Sequence, residues 1–375
     1  MGVRRDNLQL CERIEAILSK EKPTIANCSR RVASPILVIE QAWSGGNRTM
    51  QYRQLGRTGI EVSRIALGCG TFGGIGSPAA LIGRGLDEAA AFATMDEAMA
   101  LGITLFDTAF SYAGGASDRM IGRWLGRQDS EARKRIRIAT KVGTVVSAEG
   151  MRMDLSPGTI AEHLSSSLER LGLDHVDFCL CHGLDAQTPI EATLEGFAAV
   201  LEAGRVSHIG VCNVTPEELL AVLAASERLG LPRFDWVQNA YNLTRRSDES
   251  ELFAICRDHG LGLTPYSPMA GGLLTGKYGR DQPAPRDSRL SLRPEGALPS
   301  AATFDSIDRL RQHAAALGVS AGALALAWVM SHPLVTAPIA GPSRTSEHLR
   351  LVREALTVQF DENSRDQIGS WFAEH

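Results

Sequence analysis

Gly102-Ile-Thr-Leu-Phe-Asp-Thr-Ala-Phe-Ser-Tyr112 is the stretch that decides the fold. A short apolar run of strand length ends in Asp107, and Tyr112 follows five positions later. Helical patterns flank it at Glu88–Ala100 and Arg119–Leu125. The alternation continues in both directions. Strand-like runs fall at Ile65–Leu67, Thr104–Phe106, Ile136–Thr140, Val176–Leu180, Ser207–Val211, Trp236–Gln238, Gly262–Pro265 and Thr336–Ala340, eight in all. The later helical patterns are Thr159–Leu171, Ile190–Glu202, Pro216–Arg228, Glu249–His259, Phe304–Ala316 and Ser320–Ser331.

Local signals support these elements. Ser156-Pro157 and Thr215-Pro216 place a hydroxyl cap ahead of a first-turn proline, and Gly172, Gly204, Gly230, Gly260 and Gly318 stand just past helix ends. Strand then helix, eight times over, predicts an α/β fold: a closed parallel (β/α)8 barrel, the TIM barrel, with strand ends converging on one face. The alternative is a doubly wound open sheet with a GxGxxG string after its first strand. Gly68-Cys-Gly70-Thr-Phe-Gly73 fits that string, but no acidic residue follows a second strand in the right setting.

Gln51–Leu55 and Ile60–Ser63, joined through Arg57-Thr-Gly59, read as an N-terminal β-hairpin cap. The barrel is assigned to residues 50–375. Residues 1–49 lack the alternation and are expected to form a poorly ordered arm, with Met50 as a candidate alternative start. Pro35–Ile39 is too short for a secretory h-region. Two connections, Thr71–Leu86 and Ser267–Thr303, are long enough to read as lids or binding loops on the active face.

The chain has 375 residues, 44% of them hydrophobic, and a formal charge of −4. That balance carries no basic footprint for nucleic acid. Apolar stretches such as Ala321–Met330 fall short of the roughly 20 residues that span a bilayer, so no membrane role is expected. The seven cysteines, Cys11, Cys28, Cys69, Cys179, Cys181, Cys212 and Cys256, are scattered without a CxxC pair. They read as buried thiols of a cytoplasmic protein, with neither disulfide framework nor metal site.

Polar residues after the strand-like runs carry the chemistry. A carbonyl accepts hydride only as its oxygen gains a proton, so a reductase needs an acid beside that oxygen. Tyr112 is the candidate. A nearby ammonium lowers a phenol from its usual pKa of about 10, and Lys141, after Ile136–Thr140, is placed for that role. Asp107 supplies the counter-charge, and His182, after Phe178-Cys-Leu-Cys181, a hydrogen bond to the substrate oxygen. Singly, each has an ordinary reading as cap, packing or surface residue. Jointly, after strands two, three and four, they predict a proton-transfer site.

The strings YRQLGRTGIEVSRIALGCGTFGG, GITLFDTAFSY, IATKVG, VDFCLCHGLD, IGVCN, VQNAYNL, YSPMAGGLLTGKY and IAGPSR follow in order from Tyr52 to Arg344. With them the chain, from about Met50 onward, resembles the aldo-keto reductases, in the branch that holds potassium-channel β-subunits and many bacterial reductases. The resemblance implies a catalytic tetrad of Asp107, Tyr112, Lys141 and His182, with Tyr112 as general acid in reduction, and an NADP(H) site, NAD(H) not being excluded. Asn213 and Gln238 would hold the nicotinamide carboxamide and Tyr266 would stack on the ring. Ser267, Met269, Gly271, Gly272 and Lys277 would close over the pyrophosphate with Arg289. Gly341, Ser343 and Arg344 would meet the 2′-phosphate, with Thr71, Phe72, Asp107 and His348 completing the cofactor contacts.

Three departures from the family pattern stand out. His348, Leu351 and Val352 replace residues that grip adenine, Cys212 replaces a serine, and Gly183 after His182 predicts a roomier pocket on that side. The expected function is reduction of a small aldehyde, ketone or sugar carbonyl. The alternatives are an NAD(P)-dependent sugar dehydrogenase and a non-catalytic cofactor-binding regulatory subunit. Oligomeric state is left open.

Overall fold

The structure, a computed structural model, describes residues 49–280, 282–285, 288–292, 299–342 and 347–372. The expected arm therefore lies outside the described residues, Thr49 excepted. Strands β1 (Tyr52–Gln54) and β2 (Glu61–Ser63) pair antiparallel as the expected hairpin, with Tyr52 opposite Ser63. Gly59 adopts φ +72° in its turn, where a side chain would be strained.

Eight parallel strands follow: β3 (Ala66–Gly68), β4 (Leu105–Asp107), β5 (Arg137–Val142), β8 (Val176–Cys181), β9 (Val206–Cys212), β10 (Trp236–Gln238), β11 (Gly262–Leu263) and β12 (Ile339–Ala340). From β3 to β11 each pairs with the next in this order, and β12 returns beside β3, with Ile339 opposite Ala66. The ring closes between the last two, where the Thr336 and Ile339 N–H groups donate to the Leu263 and Pro265 carbonyls, both at 2.8 Å. The fold is the expected (β/α)8 barrel. Between β5 and β8 stands an additional hairpin absent from the sequence reading, β6 (Thr144–Ser147) paired antiparallel with β7 (Gly150–Met153).

Strand side chains alternate between two cores. Ala66, Leu105, Ala139, Phe178, Leu180, Trp236 and Ile339 form the inner one, with Leu55 and Val62 of the hairpin packed onto it. Leu67, Phe106, Ile138, Cys179, Cys181 and Val237 face outward into the layer of helices. Gly210 has no side chain because the Trp236 indole lies 2.9 Å from where its Cβ would stand. The glycines of the GxGxxG string serve packing too: a Cβ on Gly68 would stand 2.8 Å from Ile339, and one on Gly70 3.2 Å from the Tyr112 ring.

The outer helices are α1 (Glu88–Ala100), α2 (Ala116–Leu125), α3 (Ser130–Arg135), α4 (Pro157–Leu171), α5 (Ile190–Glu202), α6 (Pro216–Leu229), α7 (Leu252–His259), α8 (Ala301–Ala316), α9 (Ala321–Ser331), α10 (Glu347–Thr357) and α11 (Glu362–Ser370). Ser156 caps α4, and Thr215 with Glu218 forms a reciprocal capping box on α6. Gly172, Gly230 and Gly260 end α4, α6 and α7 in the left-handed conformation. Helix α3 is short and polar, without an apolar stripe to announce it, and is held by the Asp129 cap on the Ala132 N–H. The apolar helix α9 is core, buried from Ala321 to Val329. No single helix among the described residues is long and apolar enough to cross a membrane.

Candidate active site

The inward parity of the strands builds the site. Asp107, Lys141, His182 and Gln238 each stand two residues beyond an inner-core residue: Leu105, Ala139, Leu180 and Trp236. All four therefore project into one mouth at the carboxyl ends of β4, β5, β8 and β10. There Lys141 Nζ donates to Asp107 Oδ2 at 2.6 Å, to the Thr108 carbonyl at 2.8 Å and to Tyr112 Oη at 3.3 Å. Asp107 Oδ1 accepts from Gln238 Nε2 at 2.9 Å. The Lys141 and Asp107 side chains are only 1% and 6% exposed, so the charges are matched within a nearly dry pair.

Tyr112 opens a turn in which Ala113, Gly114 and Gly115 are all left-handed. Its ring packs flat against the Cβ-less Gly70 and meets His182 edge-on, with centroids 5.5 Å apart. Burial pushes its phenol up to about 12, and the opposing pull of Lys141, itself neutralised by Asp107, is too small to reverse this. The sequence reading anticipated a lowered phenol. Burial also works against the Lys141 ammonium, yet Asp107 and the other neighbours leave its pKa raised, so it stays charged. His182 is depressed to about 3 by burial and by Lys141, which makes it a neutral imidazole, and its Nδ1 is buried without a hydrogen-bond partner among the described residues. A carbonyl oxygen in this mouth would meet a phenol O–H beside a fixed ammonium, the arrangement general-acid catalysis requires.

A cleft of about 630 Å³ runs from this mouth toward β12. Asn213 Nδ2 donates to the His182 carbonyl at 2.9 Å, and its Oδ1 accepts from Tyr266 Oη at 2.7 Å. Thr71, Asn213, Gln238, Tyr266, Ser267, Met269, Gly271, Gly272, Lys277, Arg289 and Gly341 all line the cleft. Phe72 does not: its ring is fully buried in the outer core, because the residue after Thr71 faces the helices. Ser343 and Arg344 lie outside the described residues, as does the side chain of His348, whose backbone lies in α10.

The lining fits a long, partly anionic ligand. Gly271 and Gly272 have φ of +67° and +94°, and a Cβ on Gly272 would stand 2.6 Å from Lys277 Nζ. Backbone and cation can therefore approach an anion together. Among the described residues, the four left-handed non-glycines, Ala113, Asn213, Ser267 and Ala270, all lie in loops at this mouth, where local strain marks functional geometry.

Some site residues were not singled out for these roles from sequence. Asn239 accepts from the Val214 N–H at 3.0 Å and donates to the Val214 carbonyl at 2.8 Å, which fixes the loop behind Asn213. Cys212 Sγ lies 3.4 Å from Gln238 Oε1. Asp118 is fully buried beneath the tetrad and accepts from Thr108 Oγ1 at 2.6 Å and Ser167 Oγ at 2.8 Å. Asp118 stands just ahead of the helical pattern read at Arg119–Leu125, and Asn239 follows Gln238 and so faces the opposite way.

The Aldo/keto reductase family model matches residues 64–371. This chain is an aldo/keto reductase family member. It is 35% identical over 322 residues to an uncharacterized oxidoreductase, YrpG, of Bacillus subtilis, covering 83% of this chain and 93% of that protein. It is 33% identical to a probable voltage-gated potassium channel subunit beta of Arabidopsis thaliana, covering 80% and 89%. It is 28% identical to the L-glyceraldehyde 3-phosphate reductase of Escherichia coli K12, covering 87% and 93%. The glycerol dehydrogenase structure from Gluconobacter oxydans superposes with TM-score 0.72 at 24% identity, over 88% of this chain and 96% of that one, and shares the fold.

Proposed function

We propose that this aldo/keto reductase family member is an NADP(H)-dependent oxidoreductase that reduces an aldehyde or ketone. The observation that carries the reading is the Asp107–Lys141–Tyr112 chain of 2.6 Å and 3.3 Å contacts opening onto the cleft. When bound, a reduced nicotinamide supplies the hydride. Tyr112 then protonates the carbonyl oxygen, Lys141 stabilises the phenolate left behind, and neutral His182 orients the substrate oxygen by a hydrogen bond. Asp107 holds Lys141 charged and in place. Asn213 and Tyr266 orient the nicotinamide end, and Gly272 and Lys277 serve the pyrophosphate.

The test is NADPH oxidation with a panel of aldehydes and ketones. Tyr112→Phe should cut turnover by about 10³-fold while NADPH binding, followed by fluorescence, stays within a factor of two or so; undiminished turnover in that variant would sink the mechanism. The similarity to channel β subunits keeps a second reading open. Tight NADPH binding with no turnover across the panel would favour the regulatory role, and parallel titration with NADH decides cofactor preference.

A further inference from the structure

Resting on that reading, the β6–β7 hairpin bears on the substrate class. It pairs with no other strand among the described residues and stands beside the cleft, with Thr144, Met151 and Met153 on the lining. Its register puts Thr144 opposite Met153 and Val146 opposite Met151, so these four share one face. Arg152 also borders the cleft, but it belongs to the other face and donates to Asp154 Oδ2 at 3.0 Å.

Met153 borders the position of Gly183. Its Cγ and Sδ lie 3.8 and 3.9 Å from where a Gly183 Cβ would stand, and its Cε lies 2.9 Å from the corresponding point on Gly143. A Cβ at position 183 would make ordinary van der Waals contact with this thioether, which borders the space beside His182 from across the mouth. Beyond it, Met151 is 56% and Val146 39% exposed, an apolar lip continuous with the catalytic pocket.

We infer that this hairpin face binds the substituent of the substrate, and that the substrate is an apolar carbonyl, an aromatic or long-chain aldehyde or ketone, rather than a free sugar. Sugar hydroxyls laid against this face would lose hydrogen bonds to water and meet in return only the Thr144 hydroxyl, which already donates to Met153 Sδ at 3.8 Å. A flat or extended apolar group gains burial, and flexible thioethers make favourable contacts with aromatic rings.

The test compares kcat/KM for 2-naphthaldehyde and D-erythrose with NADPH. The aromatic aldehyde should lead by about 100-fold or more. Met151→Gln/Met153→Gln should lower its kcat/KM at least about ten-fold, chiefly through KM, and narrow its lead over erythrose by a similar factor. Met153→Leu, close in volume, should retain most of the preference. If the double variant folds poorly, Met151→Gln alone, at an exposed position, carries the test. Equal efficiency for the two substrates, or an unchanged preference in the variants, overturns the inference while leaving the reductase reading intact. No turnover with any carbonyl would sink that reading instead, and equilibrium dialysis of 2-naphthaldehyde would still decide the hairpin's role: binding weakened in the variants supports it, and unaltered binding overturns it.

Discussion

The floor and the lip of the barrel mouth are built in opposite ways. On the floor, Lys141 has three donor contacts and Asp107 two acceptor contacts, all from neighbouring strand ends or the turn that follows. On the lip, Val146 and Met151 face one another across an isolated hairpin and are otherwise open to the cleft or solvent. Proton transfer needs heavy atoms fixed to a fraction of an ångström, and backbone ladders supply that. Recognition of an apolar group needs area and some give, which a two-stranded hairpin with methionines provides.

The sharpest way to break this contrast is Lys141→Met. The substitution leaves the Asp107 carboxylate buried, with Gln238 Nε2 at 2.9 Å as its remaining side-chain donor. Stranding one member of a buried pair should cost about 3–5 kcal/mol of stability, and reductase kcat/KM should fall by about 10³-fold. Urea unfolding and steady-state assays check both. The double variant Lys141→Met/Asp107→Leu should regain much of the stability and none of the activity; if the single variant were already as stable as the parent, the floor would not be a coupled unit.

Asp118 tests the layer beneath the floor. Burial raises its carboxyl to about 6, against the hydrogen bonds of Thr108 and Ser167 and the fields of Arg170 and Lys141. Because the folded value lies above the unfolded one, the native state holds the extra proton between them. The stability this group contributes is full below about pH 4 and is lost as pH rises through about 6. Asp118→Asn removes that titration. The unfolding free energy of the parent minus that of the variant should therefore fall by up to about 3 kcal/mol between pH 4 and 7. A flat difference would show that the carboxyl titrates normally.

The barrel, and the meeting of Asp107, Lys141 and His182 at its mouth, were legible in sequence for one reason. Strands with a period of two, ending in Asp107, Lys141 and His182 at inward positions, write core and chemistry in the same pattern. The extra hairpin was not legible, because Thr144–Ser147 and Gly150–Met153 are four-residue runs with no third strand or core to impose alternation. Asp118 reads locally as an acidic residue in the first turn of a helix, and only the third dimension brings Thr108 and Ser167 to it. The Tyr112 pKa turned on a competition of magnitudes. Residue order reveals that Lys141 and Asp107 are near but not that burial outweighs the pull of Lys141. Phe72 failed on parity, one step out of phase with Thr71.

The smallest expected effect closes the comparison from the other side. Val146 is an exposed member of the Val146–Met151 cross-strand pair, so Val146→Ser removes little buried area, and its serine loses some β-propensity. Unfolding free energy should move by no more than about 0.5 kcal/mol. Ile138→Ala, on the buried outer face of β5, should cost about 2–5 kcal/mol in the same experiment. A Val146→Ser penalty approaching that of Ile138→Ala would mean the hairpin is packed into the fold as firmly as the barrel strands. The lip would then be a structural part of the scaffold, and its apolar face would owe nothing to a ligand.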